Sequence, residues 1–241
     1  MKLILFDVDG TLAESTLSIS QKMVDILTVF KEDPYYELGI VGGGEYSKII
    51  SQIGQENAHL FKYIFSENGL VSYKGDELFH KNDIKNSISE NNLQKIINFV
   101  LRYIADLELP YKRGSFVRFR TGMLYITPIG GDCSQEERNN FVEYDKIHEV
   151  RQTMIDALKK EFPDISILLG GAIGLGIHPK GWDKSYIMQF LNKEDYDGII
   201  FYGDRCTPDG NDYPLFSHPD IKGFCVENPQ NTIDSLLKII N

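Results

Sequence analysis

The sequence predicts an α/β fold: a doubly wound parallel-sheet core domain with an α+β segment inserted into it. Three observations carry that expectation. Short apolar runs of buried-strand type, at 3–6, 38–41 and 198–202, alternate with segments of helical spacing, the pattern of a parallel sheet. Two of those runs, one near each end of the chain, lead straight into acidic clusters, as strands of one sheet would at its ligand-binding edge. From about residue 81 to 180 the alternation gives way to a polar stretch, helices and a hairpin pattern. The core domain is therefore placed at 1–80 with 181–241, and the insert at 81–180.

The elements follow in order. Leu3-Ile4-Leu5-Phe6 is the first strand and runs into Asp7-Val8-Asp9-Gly10-Thr11. From Ser18 to Phe30, the residues Ile19, Met23, Ile26, Leu27 and Phe30 fall at helical spacing, with Ser18 or Ser20 as N-cap. A strand over Leu38–Val41 meets Gly42-Gly43-Gly44, and a helix follows from Glu45 through Ile53. Backbone amides of such a loop at a helix N-terminus can hold an anion, while a glycine triplet alone is usually just a turn. In the insert, a helix over Leu93–Ala105 precedes Ser115–Pro128, whose alternating β-branched and aromatic flanks predict a hairpin turning at Thr121-Gly122. Ser134 with Glu137 is a capping-box pattern opening a helical region that continues to about Phe162. Two strands come next, Ile165–Leu169 and Ala172–Ile177, broken by Gly170-Gly171. Gly181-Trp182-Asp183-Lys184 then introduces another helix, and the strand Gly198–Tyr202 ends in Gly203-Asp204.

Composition narrows the function classes. With 25 basic against 35 acidic residues the formal charge is −10, which disfavours general binding to nucleic acid or anionic membranes. Any phosphate must be caught locally, by placed arginines and backbone amides. The three cysteines, Cys133, Cys206 and Cys225, form neither a metal spacing nor an even disulfide set, which fits a reducing compartment. There is no basic-then-apolar leader and no apolar run long enough to span a bilayer, so the sequence reads as cytoplasmic.

The junction after the first strand carries the chemistry. Asp7 leaves the strand toward the crevice where open α/β sheets bind ligands, placed to attack phosphorus and become an aspartyl phosphate. Val8 points away, and Asp9 returns to the same side, placed to protonate a leaving oxygen and deprotonate an incoming hydroxyl. Gly10 permits the sharp turn. The bland alternative is a loop turn after a strand with Asp7 as a cap, and the second acidic cluster weighs against it. There Asp204 stands at a strand end, with Asn211-Asp212 eight residues on after a Pro-Asp-Gly turn. If the two strands are neighbours, Asp204 faces Asp7 and completes a hard oxygen site suited to Mg²⁺.

The stretches LFDVDGTL, GIVGG, ENGLVSYKG, LPYKRGSFVRFRTGML, ITPIG, SQEER, HPKGWDK and GDRCTPDGNDYPLF, in that order, resemble the haloacid dehalogenase superfamily and, within it, the eukaryotic phosphomannomutase family. The resemblance covers nearly the whole chain. It implies a haloacid dehalogenase-like core with a mobile cap, Mg²⁺ dependence, a homodimer through the cap, and interconversion of hexose 6-phosphate and hexose 1-phosphate. A hexose 1,6-bisphosphate would serve as activator. By matching position, Asp7 would be the nucleophile, Asp9 the general acid/base, and Asp7, Asp204 and the Asp9 carbonyl the cation ligands. Lys184 would neutralise the phosphorylated aspartate, Gly43 and Gly44 would lend backbone amides to phosphate, and Arg120 and Arg138 would anchor the non-reacting phosphate from the cap.

Departures from the family pattern concentrate among residues that bind substrate. Thr16 and Gly131 stand where the family has arginine, Gly174 and Gly176 where it has serine and aspartate, Gly44 where it has serine, and His218 where it has an acidic residue in a loop expected to bind a second cation. Each lost charge-assisted bond removes roughly 1.5 to 3 kcal/mol of binding. A Mg²⁺-dependent phosphomannomutase feeding nucleotide-sugar synthesis is the first expectation. A phosphatase using the same aspartate is the second, and a phosphosugar-binding protein, which the paired aspartates argue against, is the third.

Overall fold

In the computed structural model, which describes residues 1–240, strand β1 (Lys2–Phe6) is buried from Leu3 to Phe6 because both faces of its sheet are covered. Ile4 and Phe6 pack on one face, Leu3 and Leu5 on the other. The chain continues through α1 (Gln21–Glu32), β2 (Tyr36–Val41), α2 (Tyr46–Ile53), β3 (Tyr63–Ser66), β4 (Val71–Lys74) and β5 (Glu77–Lys81). It then runs through α3 (Glu90–Asp106), β6 (Val117–Phe119), β7 (Leu124–Ile126), α4 (Gln135–His148), α5 (Val150–Glu161), β8 (Ile165–Gly170) and β9 (Gly174–Pro179). The last elements are β10 (Gly198–Gly203), α6 (Tyr213–Phe216), β11 (Ile221–Cys225) and α7 (Pro229–Ile240).

Two compact units result, one of residues 1–81 with 183 onward, the other of residues 82–182. The first holds a seven-stranded sheet in the order β11-β10-β1-β2-β3-β4-β5, parallel from β11 through β3 and antiparallel at β4 and β5. One face buries Met23, Leu27 and Phe30 of α1, Ile49 and Ile53 of α2, and Ile233 and Leu236 of α7 against Ile4 and Phe6. The other buries Ile187, Leu191 and Leu215 against Leu3 and Leu5. β1 and β10 pair directly, Phe6 opposite Tyr202, which brings the two acidic strand ends to the same edge.

The second unit is a four-stranded antiparallel sheet, β6-β7-β9-β8. One of its faces, through Leu124, Ile126, Ile167, Leu175 and Ile177, packs on Ile96 and Val100 of α3 and Met154, Ile155 and Leu158 of α5. The hairpin forms where the alternation predicts it, with Arg118 opposite Tyr125.

Several local expectations change. Ser20, not Ser18, caps α1, its Oγ accepting the Met23 amide at 3.2 Å. The capping box at Ser134 and Glu137 is present, but the helical region breaks at Glu149, which takes a left-handed conformation (φ 49°). The break has a buried cause: the Asp145 carboxylate accepts the Arg151 backbone amide at 2.9 Å and its Nε at 2.6 Å, so it caps α5 from within α4. β9 starts at Gly174 instead of Ala172, after a turn over residues 171–173. The segment after Asp183 is a 3-10 helix, Lys184–Phe190, with Asp183 accepting the Ser185 amide.

Candidate active site

The geometry is set by where strands end. The Asp7 amide donates to the Tyr202 carbonyl at 2.9 Å, which continues the β1–β10 ladder one residue past β1 and fixes Asp7 at the carboxyl edge of the sheet. One carboxylate oxygen each from Asp7, Asp204 and Asp212 lie within 4.8 Å of one another, a spacing that permits a shared cation. Lys184, fully buried, donates its Nζ to Asp7 Oδ1 and, at 2.5 Å, to Asp212 Oδ1. Asp212 also accepts the amides of Asp204 at 3.0 Å and Arg205 at 2.9 Å through Oδ2, so it ties the loop after β10 to the lysine. Gly10 is required twice over: its φ is +85°, and an added Cβ would stand 2.6 Å from Asp204 Oδ2.

Lys184 and Arg205, whose Nε stands 3.9 Å from Asp204 Oδ2, do not balance three carboxylates in a buried site. Burial pushes the Asp7 carboxyl up to about 7, against the pull of Lys184 and with the push of Asp212. Burial together with the charges of Asp7 and Asp212 lifts Asp204 to about 8. Lys184 is raised too, because Asp212 and Asp7 outweigh the cost of burying it. An all-oxygen donor set with surplus negative charge suits a hard divalent cation, and Asp7, Asp204 and Asp212 fit Mg²⁺ on that ground.

Asp9 sits apart from this cluster through its side chain. Its carboxylate accepts from Lys48 Nζ, from Gln52 Nε2 at 2.9 Å and from the Thr16 amide at 3.0 Å. Burial opposes ionisation, yet Lys48 and these donors together hold the group below the usual carboxylate range. Thr16, where the family pattern has arginine, contributes a backbone amide from a left-handed residue (φ 68°). The glycine loop follows β2, and the Gly42 and Gly44 carbonyls accept the amides of Asn68 at 3.0 Å and Glu67 at 2.9 Å. An added Cβ at Gly43 would lie 3.5 Å from Asn68 Oδ1 and 3.7 Å from Asn211 Nδ2, so the loop passes close to the loop after β10.

Arg120 and Arg138 lie in the second unit. The Arg120 guanidinium stacks over the Tyr125 ring at 4.4 Å. Arg138 donates its Nε to the Cys133 carbonyl at 3.1 Å and an Nη to the Gly131 carbonyl, clamping the loop before α4. Arg113 is taken up by Glu137, with Nε donating at 2.9 Å. An added Cβ at Gly131 or Gly176 would meet ordinary contacts of 3.5 and 3.6 Å, whereas at Gly174 it would stand 2.5 Å from Tyr125. His218 is half-buried, and its Nδ1 accepts the Asp220 amide at 3.3 Å.

Strand-end logic therefore places Asp7 and Asp204, and the structure adds Asp212, Lys48 and Gln52. The Asn211-Asp212 pair is visible in the sequence as part of the acidic cluster, but nothing local gives Asp212 its partner. Lys48 and Gln52 are one helical turn apart, which puts both on one face of α2; no sequence feature says that this face meets Asp9.

Comparison with known proteins bears on the family and the fold. The profile of the eukaryotic phosphomannomutase family matches residues 23–241. Phosphomannomutase 2 of Dictyostelium discoideum is 43% identical over 232 residues, covering 95% of this chain and 92% of that protein. Phosphomannomutase of Schizosaccharomyces pombe is 41% identical over 244 residues, covering 99% and 94%. In fold, a haloacid dehalogenase subclass IIB sugar phosphatase superposes with a TM-score of 0.58 at 16% identity, over 98% of this chain and 91% of that one. Among the described residues no helix is long and apolar enough to cross a membrane. With its haloacid dehalogenase-like sheet and full-length similarity, the chain belongs to the eukaryotic phosphomannomutase family of phosphotransferase enzymes.

Proposed function

We propose that this protein is a Mg²⁺-dependent phosphohexomutase that interconverts mannose 6-phosphate and mannose 1-phosphate, in the cytoplasm and upstream of nucleotide-sugar synthesis. The observation that carries the reading is Asp7, buried at the end of the central strand, bonded to Lys184 and grouped with Asp204 and Asp212. Asp7 attacks phosphorus of a hexose 1,6-bisphosphate activator, the phosphorus–oxygen bond to the sugar breaks, and the protonated form of Asp9, which Lys48 makes the minor one, gives its proton to the leaving oxygen. Asp9 then takes the proton of the incoming sugar hydroxyl, which accepts the phosphoryl group from Asp7. Lys184 holds the Asp7 carboxylate in place and offsets its charge. Asp7, Asp204 and the Asp9 carbonyl, with Asp212 beside them, would hold Mg²⁺, which when bound would neutralise charge on the transferring group.

Arg120 and Arg138 anchor the phosphate that is not reacting, with the amides of Gly43 and Gly44 as further donors. The fork of an arginine suits that task. The unit of residues 82–182 acts as a specificity cap and carries the contact of a homodimer, which sedimentation of the purified protein tests directly. One observation favours a second reading, a sugar-phosphate phosphatase on the same nucleophile. A Cβ at Gly131 or Gly176 would meet only ordinary contacts, so nothing forces glycine there, and the side chains that would retain a bisphosphate in the family pattern are missing at both positions.

The test is incubation with Mg²⁺, mannose 1-phosphate and a catalytic amount of hexose 1,6-bisphosphate, following 6-phosphate formation and inorganic phosphate together. Isomer without free phosphate supports the mutase. Free phosphate without isomer overturns it in favour of the phosphatase.

A further inference from the structure

Two of the three cysteines meet in the fold, and they do so at the loop that carries Asp204. Cys225 ends β11 and is the ladder partner of Gly203, the last residue of β10. The next amide, of Val226, donates to the Gly203 carbonyl at 2.9 Å, so the end of β11 is fastened to the residue before Asp204. Beyond Gly203 the chain turns back. Cys206 donates its Sγ to that same Gly203 carbonyl at 3.4 Å, while Cys225 Sγ lies 3.9 Å from the Asp204 carbonyl. Two thiols from separate segments thus converge on consecutive carbonyls, one on each side of the Asp204 Cα. Burial and the Cys225 thiol beside it push the Cys206 thiol up, as expected of neighbouring sulfurs. Adjacent strands run about 4.8 Å apart, within the Cα separations of about 4.4 to 6.8 Å that a disulfide spans. Cys225 is exposed and Cys206 half-buried, whereas Cys133 is buried in the other unit. The segment between the two thiols has no slack on its inner side: the Asp204 and Arg205 amides donate to Asp212 Oδ2, and an added Cβ at Gly203 would stand 2.7 Å from the Asp212 carboxyl carbon.

From this geometry we infer that Cys206 and Cys225 are a redox modification site: a peroxide joins them in a disulfide, and the disulfide loosens the cation site at Asp204. Cys225, the exposed thiol, attacks the O–O bond of hydrogen peroxide and becomes a sulfenic acid, and the hydroxide that leaves takes the thiol proton and departs as water. Cys206 then attacks that sulfur; the S–S bond forms, the S–O bond breaks, and the oxygen leaves with the Cys206 proton as a second water. Two thiols have lost two electrons and two protons, and one peroxide has become two waters. Forming the bond takes Cys206 Sγ off the Gly203 carbonyl and shifts the Arg205 amide that Asp212 accepts. Partners that orient metal ligands in this way are worth roughly 10- to 100-fold in metal affinity. A dithiol reverses the change by exchange. The effect on the cation rests on reading Asp7, Asp204 and Asp212 as a Mg²⁺ site; the disulfide itself does not, and the two are measured separately.

The test begins with the full-length protein and hydrogen peroxide, followed by blocking of free thiols with N-ethylmaleimide and peptide mapping by mass spectrometry. The expected product is a single peptide pair linking Cys206 to Cys225, with two hydrogens lost from the intact mass and Cys133 still free. Dithiothreitol removes the link, and both Cys225→Ser, at an exposed position, and Cys206→Ser fail to form it. A link through Cys133 or between two molecules, or oxidation to sulfinic acid without any link, overturns the inference. The second arm titrates the rise in Tm that Mg²⁺ produces in reduced, oxidised and re-reduced protein. Oxidised protein is expected to need roughly tenfold more Mg²⁺ for the same rise, re-reduction to restore the original curve, and Cys225→Ser to keep that curve in peroxide. Equal Mg²⁺ dependence in the reduced and the linked protein overturns the control of the site. If Mg²⁺ stabilises not even the reduced protein, the cation reading itself falls and takes this control with it, a result distinct from the others.

Discussion

Lys184 and Asp212 are both fully buried and bonded at 2.5 Å, and through Asp212 the lysine that touches Asp7 is also fastened to the backbone of Asp204 and Arg205. Asp7, the second strand-end carboxylate and the loop between β10 and α6 are thus one connected unit.

Breaking that connection has a large cost. Removing one partner of a buried, hydrogen-bonded pair costs about 3 to 5 kcal/mol, and each kcal/mol in a chain of this size lowers Tm by about 2 to 4 °C. Asp212→Ala is therefore expected to lower Tm by about 6 to 20 °C. Asp212→Asn retains an acceptor for the two amides and loses less. Thermal denaturation followed by circular dichroism measures both, and an unchanged Tm in Asp212→Ala would contradict the linkage.

Asp7→Asn is expected to abolish isomer formation and phosphate release alike, and to leave no phosphoryl group on the protein, while the fold persists. Its carboxyl is already pushed toward the neutral form by burial, so a neutral isostere is tolerated. Intact-mass spectrometry after exposure to the bisphosphate reads the covalent step. Normal turnover in this variant would remove Asp7 from the nucleophile role.

Asp9→Ala should lower kcat more than it raises KM, as loss of a proton donor does. Lys48→Met tests the same group from the other side. Burial alone raises the Asp9 carboxyl, and Lys48 is the leading influence holding it down. Without Lys48, Asp9 keeps its proton to higher pH, and the limb of the pH–rate profile that reports its ionisation moves upward. A profile superimposable on that of the unaltered enzyme would mean that Lys48 does not tune Asp9.

The paired elevation of Asp7 to about 7 and Asp204 to about 8 fixes a sign for pH dependence. Between the unfolded carboxylate range near 4 and these values, the folded protein holds protons that the unfolded chain has lost. Without a cation, stability therefore falls as pH rises from about 4 to 8 and levels off above. If the site takes Mg²⁺ as proposed, the ion must displace those protons, so its affinity is expected to rise over the upper part of the same window and added Mg²⁺ to restore stability most near pH 8. Denaturant titrations at pH 6 and 8, with and without Mg²⁺, measure both slopes. Proton release seen by calorimetry in two buffers supplies a second reading.

The sequence makes some of this legible and hides the rest for identifiable reasons. β1 and β10 announce themselves because a strand buried on both faces must be apolar throughout, and the aspartates are legible because they follow such runs directly. The capping box at Ser134 and the hairpin at Thr121-Gly122 are local chemistry and are read from local residues. The break at Glu149 is not, because no glycine or proline marks it; its cause is the side chain of Asp145 reaching the backbone of Arg151. In the same way, Lys48 on Asp9 and Tyr125 over Gly174 are contacts across different elements, and no periodicity encodes them. β11 is only partly buried, and its Ile-Lys-Gly-Phe-Cys lacks the continuous apolar character that reveals its neighbour.

The pairing of β1 with both β2 and β10 has a consequence for how the molecule comes into being. β2 follows β1 after a single helix, but β10 is separated from β1 by the whole of the second unit. During synthesis the central strand thus waits with one edge open until an entire other unit has emerged, a long-range closure of the kind that slows folding. Only when β10 docks does Asp204 arrive beside Asp7, so a growing chain carries Asp7 from the start yet lacks this acidic neighbour until the whole of the second unit and β10 have been made.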